Sequence, residues 1–201
     1  MKKHLVSALA LLSLMATAIP ALAQTTLLGD AKQTGNSFAL STAAFDEPPL
    51  YAFDSLWIDD LETQLALPSG TLGLDALEGS AFAQTLTVSA GTVASFDWVL
   101  KTVNYDANFL DVAFVRINND IFSFANVANA DVLGTFSYTF STAGVYAFAV
   151  GVVDVNDTFG VSTLDVSNLA VSVSAVPEPS SVALMLAGLA ALGAVARKRR
   201  V

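Results

Sequence analysis

The chain has 201 residues, 54% of them hydrophobic, with 9 basic and 18 acidic residues, one histidine and no cysteine. Between residues 24 and 176, three basic residues stand against 17 acidic ones, a formal net charge of −14. This charge excludes binding to nucleic acid or anionic lipid through a basic patch. The absence of histidine and cysteine from the same range excludes histidine-based nucleophile triads, the usual zinc sites and disulfide bonds.

The first 23 residues have the layout of a secretory signal peptide. Two lysines precede an apolar run over residues 5–19, and the triplet Ala21-Leu22-Ala23 follows, with a small residue at its first and third positions. Cleavage is predicted between Ala23 and Gln24, after export by the Sec machinery. The alternative is an uncleaved membrane anchor, for which the run is short, because a spanning helix takes about 20 residues.

Residues 24–175 are predicted to form one all-β domain. Short runs rich in valine, phenylalanine, threonine and tyrosine alternate with glycine, asparagine, aspartate and serine, a pattern typical of strands and turns. The predicted strands are Thr25–Leu28, Ser37–Ser41, Ala52–Trp57, Thr85–Ser89, Thr92–Leu100, Phe109–Ile117, Ile121–Phe124, Leu133–Phe140, Val145–Val153 and Thr163–Val173.

The arrangement predicted for these strands is an antiparallel, jelly-roll-like β-sandwich, because no long helix-period stretch offers the crossovers of an α/β fold. Thr85–Ser89 and Thr92–Leu100 are predicted to pair as a hairpin, and Leu72–Leu77 to form a short helical turn. The residues predicted to face the core are Phe82, Leu86, Val88, Phe96, Trp98, Phe114, Phe136, Tyr138, Phe140, Tyr146, Phe148 and Val150.

Residues 176–201 form a tail of three parts. Pro177, Glu178 and Pro179 lead into the apolar run Val182–Ala196, and a basic cluster follows at Arg197–Arg200. The apolar run is predicted to form a transmembrane helix with the basic cluster on the inside. The two prolines favour an extended backbone just outside the membrane, a conformation that a membrane-embedded peptidase can bind.

This tail resembles the PEP-CTERM sorting signal of Gram-negative bacteria, with its Pro-Glu-Pro motif at Pro177, Glu178 and Pro179. The resemblance implies an exosortase substrate that is first anchored in the inner membrane and then cleaved near the motif. The product would be released or transferred to the cell surface, in bacteria that form biofilms and produce exopolysaccharide. The alternative is a plain C-terminal anchor that stays in place.

The central domain also resembles the β-sandwich exodomains that precede such tails. The shared segments include Glu78-Gly79-Ser80-Ala81 before a strand and Phe136-Ser137-Tyr138-Thr139-Phe140. These segments mostly encode strands and turns, so the resemblance implies a fold and a location at the cell surface but no particular ligand.

Carboxylates are the remaining source of chemistry in the domain. No pair has the spacing of a glycosidase site, so no catalytic residue is predicted and the protein is expected not to be an enzyme. Calcium binding suits these residues better than catalysis does, because calcium binds carboxylate, amide and carbonyl oxygens. The candidate ligands are Asp30, Asp154 and Asp157. The run Asn104, Asp106, Asn108 and Asp111, and also Asp165, offers further oxygens. The alternative is that these residues only make turns.

Two functions remain open from the sequence. The first is a structural or interaction role at the cell surface or in the extracellular matrix. The second is a lectin-like carbohydrate-binding module, with or without calcium, in which Trp57 or Tyr51 stacks on sugar rings. Exposed aromatic side chains would favour the second function, and wholly buried ones the first.

Overall fold

A computed structural model describes residues 24–44, 47–158, 160–173, 185 and 187–189. Its elements are β1 (Thr26–Leu28), β2 (Ala31–Thr34), β3 (Ser37–Ser41), β4 (Leu56–Trp57), α1 (Ile58–Gln64), β5 (Ala76–Val88), β6 (Thr92–Thr102), β7 (Val112–Ile117), β8 (Asp120–Asn126), β9 (Val132–Thr139), β10 (Gly144–Val155) and β11 (Ser162–Val173). The predicted signal peptide, the sorting motif and most of the predicted transmembrane helix lie outside the described residues.

The strands form two antiparallel sheets, which confirms the predicted β-sandwich. The first sheet has the order β1-β5-β10-β7-β8, with β4 also paired to β5. The second sheet has the order β2-β3-β11-β6-β9. Every second residue of β6 is buried, and the residues between them are part-exposed. One face of its sheet is therefore apolar and packs against the other sheet.

The main core lies between the sheets and holds most of the residues predicted for it. Those buried there are Phe82, Leu86, Val88, Phe96, Trp98, Phe140, Phe148 and Val150. Phe136, Tyr138 and Tyr146 are partly buried against the same core. The rings stack closely at Phe38 and Phe82, whose centroids are 3.7 Å apart.

Phe114 is buried, but not in the main core where the sequence placed it. It packs with Leu61 and Leu65 on the opposite face of the first sheet. Its partner across the strands is Gly151, where an added Cβ would lie only 2.5 Å from the Phe114 ring. Because β7 is buried on both faces, its sequence carries no alternation that could tell the two faces apart.

Helix α1 covers that outer face, and the predicted helical turn at Leu72–Leu77 is wrong. Two aspartates in the first turn of α1 favour the helix at its N-terminus, and Leu61 is buried beneath it. Residues 74–75 form a turn, and β5 begins at Ala76. The carboxylate of Glu62 accepts hydrogen bonds from the backbone N–H groups of Gly70 and Leu72, both at 2.7 Å, so the loop after the helix is tied back to it.

The predicted hairpin between Thr85–Ser89 and Thr92–Leu100 is also wrong. Both segments are strands, but β5 pairs with β1, β4 and β10, while β6 pairs with β9 and β11. The chain crosses from one sheet to the other at Gly91, whose φ is +81°. Alternation identifies a strand and its buried face but not its hydrogen-bonding neighbour.

Strand β11 connects two different ends of the sandwich. It begins at Ser162, which bonds to Thr42 and Asp111, at the end of the sandwich that we call the loop end. The loops 103–111 and 127–131 lie there, because the Val103 N–H bonds to Val161 and the Val127 N–H to Asp111, and the loop 65–75 joins it through the bond from the Asn156 N–H to Asp75. The strand ends at Val173, opposite Thr92 at the other end. The 12 residues of β11 span roughly 36 Å, so Val173 lies far from the loop end.

Candidate functional site

Asp30 lies in the short connection between β1 and β2, and its side chain is fully buried. Its Oδ1 accepts hydrogen bonds from the backbone N–H groups of Tyr51 (2.8 Å) and Ala52 (2.9 Å). Its Oδ2 accepts from the N–H of Leu50 at 2.7 Å and from the hydroxyl of Ser41. Both oxygens therefore hold protein donors, and Asp30 fixes the position of the loop that carries Tyr51.

Tyr51 lines a cavity of about 300 Å³ on the outer face of the second sheet. Its polar neighbours in this cavity are Lys32, Thr34, Ser37, Asp165 and Ser167. Burial raises the pKa of Tyr51 above its usual 10.0, and the negative charges of Asp165 and Asp30 raise it further. The phenol is therefore neutral at physiological pH and can donate a hydrogen bond.

Trp57, the other predicted stacking residue, lies elsewhere. It belongs to β4 in the first sheet, paired with Glu78, and is 49% exposed. The structure thus separates the two aromatic candidates, and Tyr51 is the one that lines the cavity among hydroxyl, amine and carboxylate groups.

Three carboxylates, Glu78, Asp111 and Asp154, are buried near the loop end. Glu78 and Asp154 face each other across β5 and β10. Asp111 accepts hydrogen bonds from the Val155 N–H at 3.3 Å and from the hydroxyl of Ser162. Oε2 of Glu78 and Oδ1 of Asp154 are buried without a hydrogen-bond partner.

Burial and mutual repulsion raise the pKa values in this cluster. The pKa of Glu78 rises to about 7, first through burial and then through the charges of Glu47, Asp111 and Asp54. The pKa of Asp154 rises to about 9, again first through burial and then through Asp111 and Asp157. Asp154 therefore carries a proton at neutral pH and shares a hydrogen bond with Asp111.

The predicted calcium ligands are thus only partly brought together. Asp157 is near enough to Asp154 for its charge to raise that pKa, whereas Asp30 bonds to the Tyr51 loop. Oδ1 of Asp106 accepts hydrogen bonds from the backbone N–H and the side-chain amide of Asn108, at 2.8 and 3.0 Å. This is the pattern of a turn stabilised by an aspartate side chain. Within the described ranges, no group of three aspartate, glutamate, histidine or cysteine side chains is arranged to hold a metal ion.

Comparison with known proteins identifies the tail. A family model described as the PEP-CTERM protein-sorting motif matches residues 175–200. The chain carries a PEP-CTERM sorting motif. The match includes Pro177, Glu178 and Pro179, and it confirms the resemblance that these residues indicate.

The same motif implies a membrane-anchored precursor that is exported to the cell surface. In the part of the chain that the structure describes, no helix is both long and apolar enough to cross a membrane. No curated protein matches this chain.

Solved structures resemble the β-sandwich domain of this chain. One, described as "CBM4 structure and function", is 10% identical, with 75% of this chain and 94% of that chain covered and a TM-score of 0.39. The N-terminal cellulose-binding domain of Cellulomonas fimi β-1,4-glucanase C is 10% identical, with 76% and 90% covered and a TM-score of 0.36. At this identity and these TM-scores, no function is transferred from them.

Substituting Asp30 tests its role in holding the Tyr51 loop. Asp30→Ala leaves three backbone donors without their acceptor, so we expect a loss of about 2–4 kcal/mol in the free energy of unfolding. Thermal unfolding of the full chain in detergent measures this, with the exposed Asp131→Ala as a control that changes stability by less than about 0.5 kcal/mol. An unchanged Asp30→Ala variant, or a wild-type protein that a chelator destabilises by the same amount, would contradict this role.

Proposed function

We propose that the protein is a non-catalytic component of the cell surface or extracellular matrix, sorted there by an exosortase that recognises its tail. The observation that carries this proposal is the PEP-CTERM motif at residues 175–200, placed after a β-sandwich domain. The biological setting we propose is a biofilm or exopolysaccharide matrix.

The geometry of β11 supports a role in contacts outside the cell. The strand ends at Val173, just before the motif, and begins at Ser162 near the loop end. While the precursor is anchored, the tail attaches to one end of the sandwich, and the loop end is then the end away from the attachment. After sorting, the broad outer face of the second sheet remains available to a partner.

Surface exposure in the native host tests this proposal. An antibody against the β-sandwich domain should label intact cells or the surrounding matrix, and a host lacking its exosortase should lose that label. Labelling that is unchanged in the mutant host would contradict exosortase sorting. An unlabelled wild-type host with all of the protein in the inner membrane would contradict a surface function.

Carbohydrate binding is a second candidate, and the Tyr51 cavity favours it. Sugar sites combine an aromatic face with a few polar groups that hydrogen-bond to hydroxyls. The cavity brings the Tyr51 ring together with Lys32, Asp165 and three hydroxyl side chains. Calcium dependence remains a prediction from the sequence, with Asp154 and Asp157 as its candidate ligands, and Asp154 would have to lose its proton before it could bind the ion.

A further inference from the structure

The outer face of the second sheet carries fixed polar groups beyond the Tyr51 cavity. Lys101 and Asp165 form an ion pair at 3.1 Å on neighbouring strands β6 and β11. Next to them, Asp97 accepts from Thr135 at 2.7 Å and from Asn168 at 2.8 Å. These contacts hold donors and acceptors in place before any ligand arrives, which lowers the entropy cost of binding.

The backbone that carries Tyr51 is held in position at one side of this face. Asp30 bonds to the N–H groups of Leu50, Tyr51 and Ala52, so the backbone beneath the ring is fixed on both sides. A rigid aromatic ring loses little conformational entropy when a sugar ring stacks on it.

The charge of the domain favours uncharged over anionic polysaccharides. On this face the carboxylates of Asp97 and Asp165 are matched by the amines of Lys32 and Lys101, and Asp30 is fully buried, so the face has no excess positive charge to hold an anion. The domain as a whole carries a formal charge of −14 between residues 24 and 176. Lys101 is already paired with Asp165, which leaves Lys32 as the amine of the cavity. A uronate-rich or otherwise anionic chain would be repelled by this field, whereas an uncharged chain would not.

We propose that the outer face of the second sheet binds an uncharged polysaccharide, with a sugar ring stacked on Tyr51 and its hydroxyls bonded to Lys32 and Asp165. This inference rests on the carbohydrate-binding candidate above and gives it a site and a ligand class. Lys32 donates to a sugar hydroxyl, and the outer carboxylate oxygen of Asp165 accepts from one. The polar groups from Lys101 to Asp97 continue the face across β11, β6 and β9.

Affinity electrophoresis of the full chain in detergent tests the inference. The probe is exopolysaccharide purified from the native host and separated by anion exchange into uncharged and anionic fractions. Wild-type protein should be retarded by the uncharged fraction, and Tyr51→Ala should weaken binding about tenfold, the equivalent of about 1.4 kcal/mol. Tyr51→Phe keeps the stacking surface and should retain most of the affinity, and Lys32→Gln should weaken binding less than Tyr51→Ala.

Trp57→Ala is the matched control, because it removes another part-exposed aromatic side chain from the first sheet. It should leave the affinity unchanged. Binding that survives Tyr51→Ala, falls with Trp57→Ala, or occurs with the anionic fraction alone would overturn this inference while leaving carbohydrate binding intact. Wild-type protein that binds neither fraction would contradict the carbohydrate-binding candidate itself.

Discussion

Replacing Pro177, Glu178 and Pro179 with alanine is expected to leave the protein in the inner membrane and to abolish its appearance at the surface and in the medium. Proline fixes φ and keeps the residue before it out of helix, so the motif favours an extended segment next to the predicted transmembrane helix. Three alanines would instead favour a helix that continues the predicted transmembrane helix through the motif. The change thus removes both the motif and the backbone form that a peptidase needs.

Cell fractionation with an antibody to the β-sandwich domain measures this effect. Ser180→Ala with Ser181→Ala is the matched control, because it alters the next two residues and leaves the motif intact. The control should reach the surface as the wild type does. A triple-alanine variant that also reaches the surface would contradict recognition of the motif.

Raising the pH from about 5 to about 9 is expected to destabilise the β-sandwich domain. The pKa of Glu78 rises from 4.5 to about 7 on folding, and that of Asp154 from 3.8 to about 9. The folded state therefore binds more protons than the unfolded chain throughout this range. The stability that these protons provide is complete below the unfolded values and is lost as the pH rises through the folded ones.

The size of the effect follows from the pKa shifts. One pKa unit corresponds to about 1.4 kcal/mol, so the shift of Glu78 alone corresponds to on the order of 3 kcal/mol. The groups that face the cluster, Glu47, Asp54 and Asp157, are all acidic and oppose its ionisation. None of the three basic residues at 24–176 offsets it, since Lys101 pairs with Asp165, Lys32 lines the Tyr51 cavity and Arg116 bonds to the Asn118 carbonyl.

Thermal unfolding of the full chain at a series of pH values measures this loss. Asp154→Asn keeps a donor for Asp111 and removes the ionisation, so its midpoint should fall less between pH 7 and 9 than that of the wild type. Glu78→Gln should remove the earlier part of the fall, below pH 7. Asp131→Asn, at an exposed site, should follow the wild type. A wild-type midpoint that is constant or rises from pH 5 to 9 would contradict the proton assignment.

Several strands of the fold, such as β3 and β6, were predictable because their apolar and polar side chains alternate or because they are rich in β-branched and aromatic residues. Ser37–Ser41 has the predicted bounds, and the turn before β8 lies at Asn118, whose φ is +56°. Pairing was less predictable, since the second half of β5 alternates as β6 does and yet the two strands lie in different sheets. Strand β2 was missed because its sequence, Ala-Lys-Gln-Thr, is mostly polar and exposed.

The candidate site was predictable in part. Tyr51 is predicted, with Trp57, to stack on sugar rings, and it lines a polar cavity. Asp30 is predicted to bind calcium, but its oxygens accept from a loop that is 20–22 residues further along the chain. The ionisable role of Glu78 was not predicted, because the segment Glu78-Gly79-Ser80-Ala81 indicates only that a strand follows. The signal for it was a glutamate within a strand that is otherwise apolar or small, Ala76–Ala83.

Intact mass of the protein recovered separately from the inner membrane, the cell surface and the medium tests exosortase sorting most directly. A surface or medium species that begins at Gln24 and ends near residues 176–179 is the predicted result. A protein that retains its complete tail and occurs only in the inner membrane would contradict it.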